Sequence, residues 1–285
     1  MTLLLKAQPL VDQKIIDLTK RCQKLVNAGI RPFMKVVLVG NNPASLRYIR
    51  NKKKMCETVG AEFELDQLDA GISKKDFLAH IEKLNTDPKI TGIIIQLPVS
   101  EELKSLRISQ LVAPEKDIDG FHIENTQTLY EGSKNTNLLL PCTPKGIISL
   151  LQHYQIPLEG KHAVVIGRSL IVGRPISMLL SNFNATVTLA HSKSSNLEEL
   201  TKNADIIISA VGKADLITKN HINAAKKTVV IDVGMNMKDG NLVGDVSFDE
   251  VSPLVYAITP VPGGVGPMTV ISLIENLILA SEKGI

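Results

Sequence analysis

The feature that most constrains the fold is a buried apolar stretch that breaks into a glycine turn and then into a helix. The stretch His162–Ile166 is largely apolar and β-branched, as in a strand that is buried on both faces. Gly167 breaks it, and Pro175 suits the first turn of the next helix, where no backbone N–H is needed. A second apolar run from Ala185 to Ala190 predicts another strand. This order predicts a βαβ unit with parallel strands.

The glycine turn is also a candidate dinucleotide site, because glycine lets a phosphate approach the backbone and the helix N-terminus offers free N–H groups. Gly167 and Gly173 lack the usual Rossmann spacing, and Ser169 stands at the middle position, so an ordinary strand-to-helix turn remains equally open. The end of the second strand favours the dinucleotide. It carries His191-Ser192-Lys193 instead of the carboxylate typical of NAD sites, and Arg168 lies in the first turn. Cations without a carboxylate suit a 2′-phosphate, which predicts NADP.

Length and composition fit a soluble protein with two domains. The chain has 285 residues, of which 44% are hydrophobic and 21% charged. A net charge of +3, with no basic run interleaved with aromatics, predicts no nucleic-acid partner. The three cysteines lack CxxC spacing and the six histidines lack ligand spacing, so we expect no disulfide framework and no metal. Leu3–Leu5 is too short for a signal peptide, and no apolar run reaches membrane-spanning length. We therefore expect a cytoplasmic protein without a membrane partner.

The rest of the chain predicts alternating strands and helices around a segment rich in turn formers. Further strands are predicted at Met34–Gly40, Glu62–Leu65, Gly92–Gln96, Asp205–Ala210, Val229–Gly234 and Ala257–Thr259. Helices are predicted at Pro9–Ala28, Ser45–Val59 with Ser45 as the cap, Ser73–Leu84, Gly146–Tyr154 and Thr269–Ala280. Residues 116–144 carry turn chemistry instead of periodicity. We place the domain boundary there, giving domains 1–140 and 141–268, with the terminal helix 269–285 returning to the first.

Two side chains on one predicted helix could carry chemistry. Tyr48 and Lys52 lie four residues apart and therefore share a face. A phenol and an amine together can polarise a substrate and move protons. Against this, Lys52–Lys54 is a charge run, and such runs are usually solvated. A Tyr-x-x-x-Lys pair also marks short-chain dehydrogenases, but there it follows the nucleotide turn, whereas Lys52 precedes Gly167. The pair alone leaves catalysis open.

Other polar candidates each have a structural alternative. Gln96 closes a predicted strand before Leu97-Pro98, where it could bind a ligand or only satisfy loop backbone. Asp117 and Asp119 lie in a segment that ends in Asp-Gly, a turn former. Cys142 has no evident base partner, so we do not expect a nucleophile there.

Several segments, in this order along the chain, carry a family resemblance. They are Pro43-Ala44-Ser45 with Tyr48 and Lys52, Gly92–Pro98, Lys116–His122, Pro141–Pro144, Gly167–Pro175, Gly244-Asp245-Val246 and Thr259–Thr269. Together they resemble the bifunctional methylenetetrahydrofolate dehydrogenase/methenyltetrahydrofolate cyclohydrolases, and the resemblance extends from Val37 to Leu277.

The resemblance implies two α/β domains, the second a Rossmann-like NADP-binding domain, with the folate in a cleft between them. It also implies a cytoplasmic homodimer formed through the nucleotide domain and engaged in one-carbon metabolism and purine biosynthesis. One site would oxidise 5,10-methylenetetrahydrofolate with NADP and then hydrolyse the methenyl product to 10-formyltetrahydrofolate. The alternatives are a dehydrogenase of the same fold without the second activity, and a non-catalytic regulator that binds NADP or folate. A regulator has no need of Lys52, which disfavours it.

The resemblance also assigns roles to individual residues. The catalytic lysine falls on Lys52, the stacking tyrosine on Tyr48, the glutamine that tunes the lysine on Gln96, and the aspartate that holds the pterin on Asp119. Further substrate contacts are implied at Leu97, Pro98, Pro262, Gly263 and Gly264. Nucleotide contacts are implied at Gly167, Arg168, Ser169, Ser192 and Met235.

The chain departs from the family pattern at two places near the expected folate site. It reads Val99-Ser100 where Leu-Pro is usual, and Ile123–Gln127 where a Pro and a Gly are usual. The second departure is expected to line the folate cleft and to bear on folate affinity. Neither removes a proposed catalytic residue.

Overall fold

The structure is a computed structural model that describes residues 2–283. Its strands are β1 (Leu3–Leu4), β2 (Phe33–Val39), β3 (Glu62–Leu68), β4 (Gly92–Ile95), β5 (His162–Ile166), β6 (Thr186–Ala190), β7 (Ile206–Ser209), β8 (Val229–Asp232), β9 (Asn236–Lys238), β10 (Asn241–Val243) and β11 (Ala257–Ile258). Its α-helices are α1 (Gln8–Asn27), α2 (Pro43–Thr58), α3 (Lys74–Thr86), α4 (Ile123–Tyr130), α5 (Cys142–His153), α6 (Gly173–Asn182), α7 (Leu197–Lys202), α8 (Phe248–Val251) and α9 (Val265–Lys283). The alternation of strands and helices confirms the predicted α/β class.

The chain folds into two compact units, which we name after their parallel sheets. The six-stranded unit comprises Met1–Val11, Thr128–Lys134 and Thr143–Thr269. The three-stranded unit comprises Asp12–Gln127, Asn135–Cys142 and Val270–Ile285.

The three-stranded unit is built on a parallel sheet in the order β3-β2-β4. Its central strand β2 is buried from Met34 to Val39, because it has neighbours on both sides and is covered on both faces. The edge strand β3 is only partly buried and continues to Leu68, beyond the predicted end at Leu65. Helix α2 also differs from expectation. It begins at Pro43 and its cap is Asn42, not Ser45.

The six-stranded unit contains a parallel sheet in the order β1-β11-β8-β7-β5-β6. The predicted βαβ unit is confirmed as β5, α6 and β6, with Ile166 paired to Ala190. The chain then crosses back to β7 on the other side of β5, so the winding reverses between β5 and β7. Because all strands are parallel, the loops after β5, β6, β7 and β8 share one edge of the sheet. In open sheets of this kind, ligands bind at that edge, at the point of reversal.

The segment predicted to consist of turns contains two helical stretches. Helix α4 (Ile123–Tyr130) lies within it, and α5 begins at Cys142 instead of Gly146. Asn125 and Thr126 favour turns and caps in isolation, which masks the helical signal. In α4 the Thr126 hydroxyl is bonded back to the carbonyl oxygens of His122 and Ile123, so it does not compete with the helix.

Helix α9 (Val265–Lys283) is longer than predicted, and its composition corrects one expectation. Among residues 2–283 it is the one helix that is long and apolar enough to cross a membrane. However, 72% of its apolar window is buried, which is typical of a core helix. Within residues 2–283, the cysteines at positions 22, 56 and 142 form no disulfide, and all three are buried.

Candidate functional site

Helix α2 and the end of β4 position three of the candidate side chains in the three-stranded unit. Asn42 caps α2, its Oδ1 accepting hydrogen bonds from the backbone N–H groups of Ala44 (3.0 Å) and Ser45 (3.1 Å). Tyr48 and Lys52 follow on this helix, one turn apart. The predicted face sharing is therefore present, although the capping residue differs.

Lys52 and Gln96 are in direct contact. The Lys52 Nζ atom donates a hydrogen bond to Gln96 Oε1 at 3.0 Å. The other end of the amide is also held, because Gln96 Nε2 donates to the carbonyl oxygen of Leu97 at 2.9 Å. The backbone N–H of Gln96 donates to Val37 O at 2.9 Å, which extends the pairing of β4 with β2 by one residue. The sheet pairing of its backbone and the bond of its side chain to Leu97 thus hold the Gln96 amide oxygen toward the Lys52 amine.

Tyr48 presents its ring at a partly open position. Tyr48 is 39% exposed, so its ring is accessible to a flat ligand. Burial raises the pKa of the Tyr48 phenol, and the positive charge of Arg47 opposes this shift. The group is therefore a neutral phenol at ordinary pH.

The loop that carries Asp119 is built around Asp117, which is buried. Asp117 Oδ1 accepts from the backbone N–H of Gly120 at 3.1 Å. Its Oδ2 accepts from the backbone N–H of His122 at 2.7 Å and from Asn125 Nδ2 at 3.0 Å. Asp117 is therefore the turn-forming aspartate of this segment.

A second anchor of the same loop lies in helix α9. Asn276 Nδ2 donates to the carbonyl oxygens of Ile118 (2.8 Å) and Leu140 (2.9 Å). Gly120 has φ +75°, and a Cβ there would lie 2.3 Å from the Leu140 carbonyl carbon, so only glycine fits. These contacts fix the backbone on both sides of Asp119. Sequence reasoning missed Asn276, although an amide within an otherwise apolar helix is a usable signal.

Asp119 differs from Asp117 in having an unused carboxylate. Within residues 2–283 its side chain has no hydrogen-bond donor. Burial raises the pKa of Asp119, while the positive charge of Lys52 acts in the opposite direction. A partly buried carboxylate without internal donors can accept hydrogen bonds from a ligand. The three-stranded unit thus brings together Tyr48, Lys52, Gln96 and Asp119, with the exposed Leu97 and Pro98 beside Gln96.

The predicted glycine-rich loop belongs to the six-stranded unit. Pro262, Gly263 and Gly264 follow β11, and the Gly263 carbonyl accepts from the backbone N–H of Ala7 at 2.9 Å. Gly263 has φ +104°. A Cβ on Gly264 would lie 2.7 Å from the carbonyl oxygen of Pro260, so the loop is close-packed backbone.

The turn after β5 is too tight for side chains at its glycines. Gly167 has φ +111°, and a Cβ there would lie 2.4 Å from the carbonyl oxygen of Ala210. A Cβ on Gly173 would lie 1.9 Å from Gly167 O. Ser169 Oγ accepts hydrogen bonds from the backbone N–H groups of Val172 (3.2 Å) and Gly173 (3.3 Å), just before and at the first residue of α6. This turn therefore presents mainly backbone to a ligand.

The residues around this turn fit NADP. Arg168, Ser192 and Lys193 follow the neighbouring strands β5 and β6, and all three are exposed. In the described part of the chain, the Arg168 guanidinium has no acidic partner. These groups suit a phosphate, while Met235, 43% exposed after β8, offers an apolar surface. Residues 2–283 contain no group of three or more His, Cys, Asp or Glu that could hold a metal ion.

Comparison with known proteins agrees with the site geometry described in each of the two units. Residues 5–119 match the family model described as tetrahydrofolate dehydrogenase/cyclohydrolase, catalytic domain. Residues 141–284 match tetrahydrofolate dehydrogenase/cyclohydrolase, NAD(P)-binding domain. The Bifunctional protein FolD of Brevibacillus brevis is 46% identical over 94% of this chain and 93% of the relative.

Solved structures give the same result. The bifunctional FolD methylenetetrahydrofolate dehydrogenase/cyclohydrolase of Campylobacter jejuni matches with a TM-score of 0.95, at 40% identity and over 100% of both chains. The Trypanosoma brucei FolD, solved with NADP cofactor and an inhibitor, matches with a TM-score of 0.92 at 29% identity, over 99% of this chain and 98% of that one. With two family models covering most of its length and relatives similar from end to end, this chain belongs to the tetrahydrofolate dehydrogenase/cyclohydrolase family.

Proposed function

We propose that Tyr48, Lys52, Gln96 and Asp119 are the reacting and substrate-orienting groups of a bifunctional folate enzyme. The enzyme oxidises 5,10-methylenetetrahydrofolate to the 5,10-methenyl form with NADP, and hydrolyses that product to 10-formyltetrahydrofolate. The observation that carries the residue assignment is the bond between Lys52 Nζ and Gln96 Oε1.

In the oxidation, the residues chiefly orient the substrate. The carboxylate of Asp119 accepts from the two adjacent N–H groups of the pterin, and the Tyr48 ring stacks on the flat ring system. Leu97 and Pro98 are proposed as further substrate contacts in this unit, and the resemblance to the family also assigns substrate contacts to Pro262, Gly263 and Gly264. NADP, when bound, accepts the hydride that leaves the methylene carbon, and the folate nitrogens stabilise the resulting cation.

In the hydrolysis, Lys52 handles protons. Water adds to the methenyl carbon and loses a proton, and the carbon–nitrogen bond then breaks to leave the formyl group on one nitrogen. An amine beside the cationic substrate can accept and return this proton. Gln96 holds the amine with a neutral acceptor, so it orients Lys52 without the added negative charge that would stabilise the ammonium form.

In the six-stranded unit we assign the cofactor to Gly167, Arg168, Ser169, Ser192 and Met235. The glycine turn allows the pyrophosphate to approach the backbone, and the exposed cations suit the 2′-phosphate of NADP. The three-stranded unit, with the last helix, then serves as the folate domain, and the six-stranded unit as the nucleotide domain.

We further propose a cytoplasmic homodimer that joins through the six-stranded unit and serves purine biosynthesis. Support for the dimer comes from β6, an edge strand whose backbone is unpaired on one side and whose Leu189 is 37% exposed. Light scattering should give twice the chain mass of 31.0 kDa. Buried cysteines that form no disulfide within the described residues are consistent with a reducing compartment. A purine requirement after deletion of the gene would support the pathway, and growth without purines would contradict it.

One assay tests the proposed function directly. Purified protein is given 5,10-methylenetetrahydrofolate with NADP, and the reduced nucleotide and the methenyl product are followed by absorbance. In a second reaction the methenyl compound alone is supplied, and its disappearance reports hydrolysis without any nucleotide. Activity in both reactions is expected. Activity in the first alone would mean a monofunctional dehydrogenase, and activity in neither would mean a binding protein.

A further inference from the structure

We propose that Asp245 is a positioning residue for the dinucleotide, holding the loops after β7 and β8 in the shape that the cofactor requires. This inference rests on the NADP site proposed above. Asp245 belongs to the Gly244-Asp245-Val246 segment, to which neither the catalytic nor the cofactor-binding assignments give a role.

Asp245 is fully buried and its carboxylate accepts five hydrogen bonds. Three come from consecutive backbone N–H groups after β7, those of Val211 (2.8 Å), Gly212 (3.3 Å) and Lys213 (2.8 Å). The others come from Ser209 Oγ at 3.0 Å and Asn236 Nδ2 at 3.1 Å. One side chain thus fixes a whole loop and ties it to the chain after β8.

A second buried carboxylate holds Asp245 itself in place. Asp232, the last residue of β8, accepts from the backbone N–H groups of Asp245 (2.8 Å), Val246 (2.9 Å) and Gly234 (3.0 Å). The packing is tight. A Cβ on Gly234 would lie 2.0 Å from an Asp245 carboxylate oxygen, and one on Gly244 would lie 1.8 Å from an Asp232 oxygen.

The loops held in this way lie where the sheet reverses its winding. Ala210 begins the loop after β7, and its carbonyl oxygen contacts the Gly167 turn after β5. Val211 is 47% exposed and Met235 is 43% exposed, although both are apolar. Exposed apolar side chains at the ligand-binding edge of a parallel sheet are suited to cover the rings of a dinucleotide. Asp245 therefore acts on the cofactor through backbone that it orders, without touching it.

The alternative is that these two buried carboxylates only stabilise the fold of the six-stranded unit. A stabilising role predicts that loss of Asp245 affects both reactions alike, through the amount of folded enzyme. A positioning role predicts a selective loss, because hydrolysis of the methenyl compound needs no nucleotide and its proposed reacting groups all belong to the three-stranded unit.

The test is the substitution Asp245→Asn, which keeps the shape and leaves one oxygen where two accepted. We expect the Kd for NADP, measured by calorimetry without turnover, and the KM for NADP to rise at least about tenfold, or about 1.4 kcal/mol. The KM for the folate and the hydrolysis rate per folded molecule should stay within about twofold of the original protein. The control is Asp249→Asn, an exposed carboxylate in α8 of the same unit, which should change neither.

Asn236→Ala keeps the test decisive if Asp245→Asn does not fold. It removes one donor to Asp245 and should weaken NADP binding about threefold, again with hydrolysis unchanged. The inference would be overturned if a folded Asp245→Asn protein bound NADP as tightly as the original protein. If only Asn236→Ala folds, unchanged NADP affinity in that variant would overturn it. Parallel loss of hydrolysis and NADP binding would do the same. Failure of the unmodified protein to bind NADP would instead overturn the proposed function.

Discussion

Lys52 Nζ and Gln96 Oε1 lie 3.0 Å apart, and this bond links the middle of helix α2 to the residue that follows strand β4. The amide cannot rotate freely, since its nitrogen is bonded to the carbonyl oxygen of Leu97. A neutral oxygen therefore faces the amine. The hydrogen-bond acceptor of Lys52 thus carries no negative charge, and the proposed division of labour between the two reactions depends on this.

Lys52→Met should separate the two activities. The aliphatic stem is kept but the amine is lost, so hydrolysis of the methenyl compound should fall about 10²–10⁴-fold while oxidation remains measurable. Methenyl product should then accumulate, and its absorbance over time is the measurement. Lys53→Met is the matched control, because Lys53 is an exposed neighbour whose amine pairs with the Glu57 carboxylate at 3.8 Å. Equal loss of both activities in folded Lys52→Met would show that Lys52 positions substrate instead.

Gln96→Glu should impair hydrolysis although it preserves the shape of the side chain. A carboxylate at this distance stabilises the ammonium form of Lys52, so the group gives up its proton less readily. We expect the hydrolysis rate to fall about tenfold or more at neutral pH, with partial recovery as the pH is raised. Rates across a pH series for Gln96→Glu and the original protein provide the comparison. If the pH dependence of the hydrolysis rate were the same in Gln96→Glu as in the original protein, Gln96 would have no role in the proton transfer.

Asp119→Asn should raise the KM for the folate in both reactions. The ionised carboxylate accepts from two pterin N–H groups, whereas the amide offers one acceptor and one donor. Because burial raises the pKa of Asp119, the KM of the original protein should also rise in mildly acidic solution, earlier than for an exposed aspartate. That pH dependence should be absent from the variant. A normal folate KM in Asp119→Asn would leave Asp119 as a turn residue.

Arg168→Ala should reduce the preference for NADP over NAD. A charged hydrogen bond to phosphate contributes roughly 1.5–3 kcal/mol, so kcat/KM with NADP should fall at least about tenfold while kcat/KM with NAD changes little. Lys227→Ala is a suitable control, since this exposed lysine precedes β8 and therefore lies near the opposite edge of the sheet. If kcat/KM falls equally with NADP and with NAD, Arg168 supports the turn and does not bind the 2′-phosphate.

Asp232 should make the unfolding free energy depend on pH. Burial, with the charge of Asp245 adding to it, raises the pKa of Asp232 from 3.8 to about 6. The folded state therefore binds more protons than the unfolded state between these values, so this group's contribution to stability falls as the pH rises from about 4 to about 6. The loss amounts to about 2–3 kcal/mol. Denaturant titrations of the original protein and Asp232→Asn at several pH values should differ in slope, and parallel curves would contradict the assignment.

The local elements followed closely from the sequence. The β-branched run at His162–Ile166 and the strand Gly92–Ile95 are buried from both sides, so their composition alone signals them. The spacing of Tyr48 and Lys52 likewise placed both on one helix face, because helical geometry is local. The motif resemblance then named the residues on which the site assignment rests.

Contacts between residues that are distant in the sequence were decided by the tertiary structure alone. No local pattern relates Lys52 to Gln96, or Asn276 to the backbone around Asp119, since these contacts form when separate elements pack. The same holds for Asp245, whose five donors come from the end of β7, the loop that follows it and the start of β9. Asp119, whose carboxylate has no donor within residues 2–283, and Asp245, whose carboxylate has five, are the same residue type. What distinguishes them is whether folding removes the carboxylate from water and supplies it with backbone donors, and a sequence does not record that.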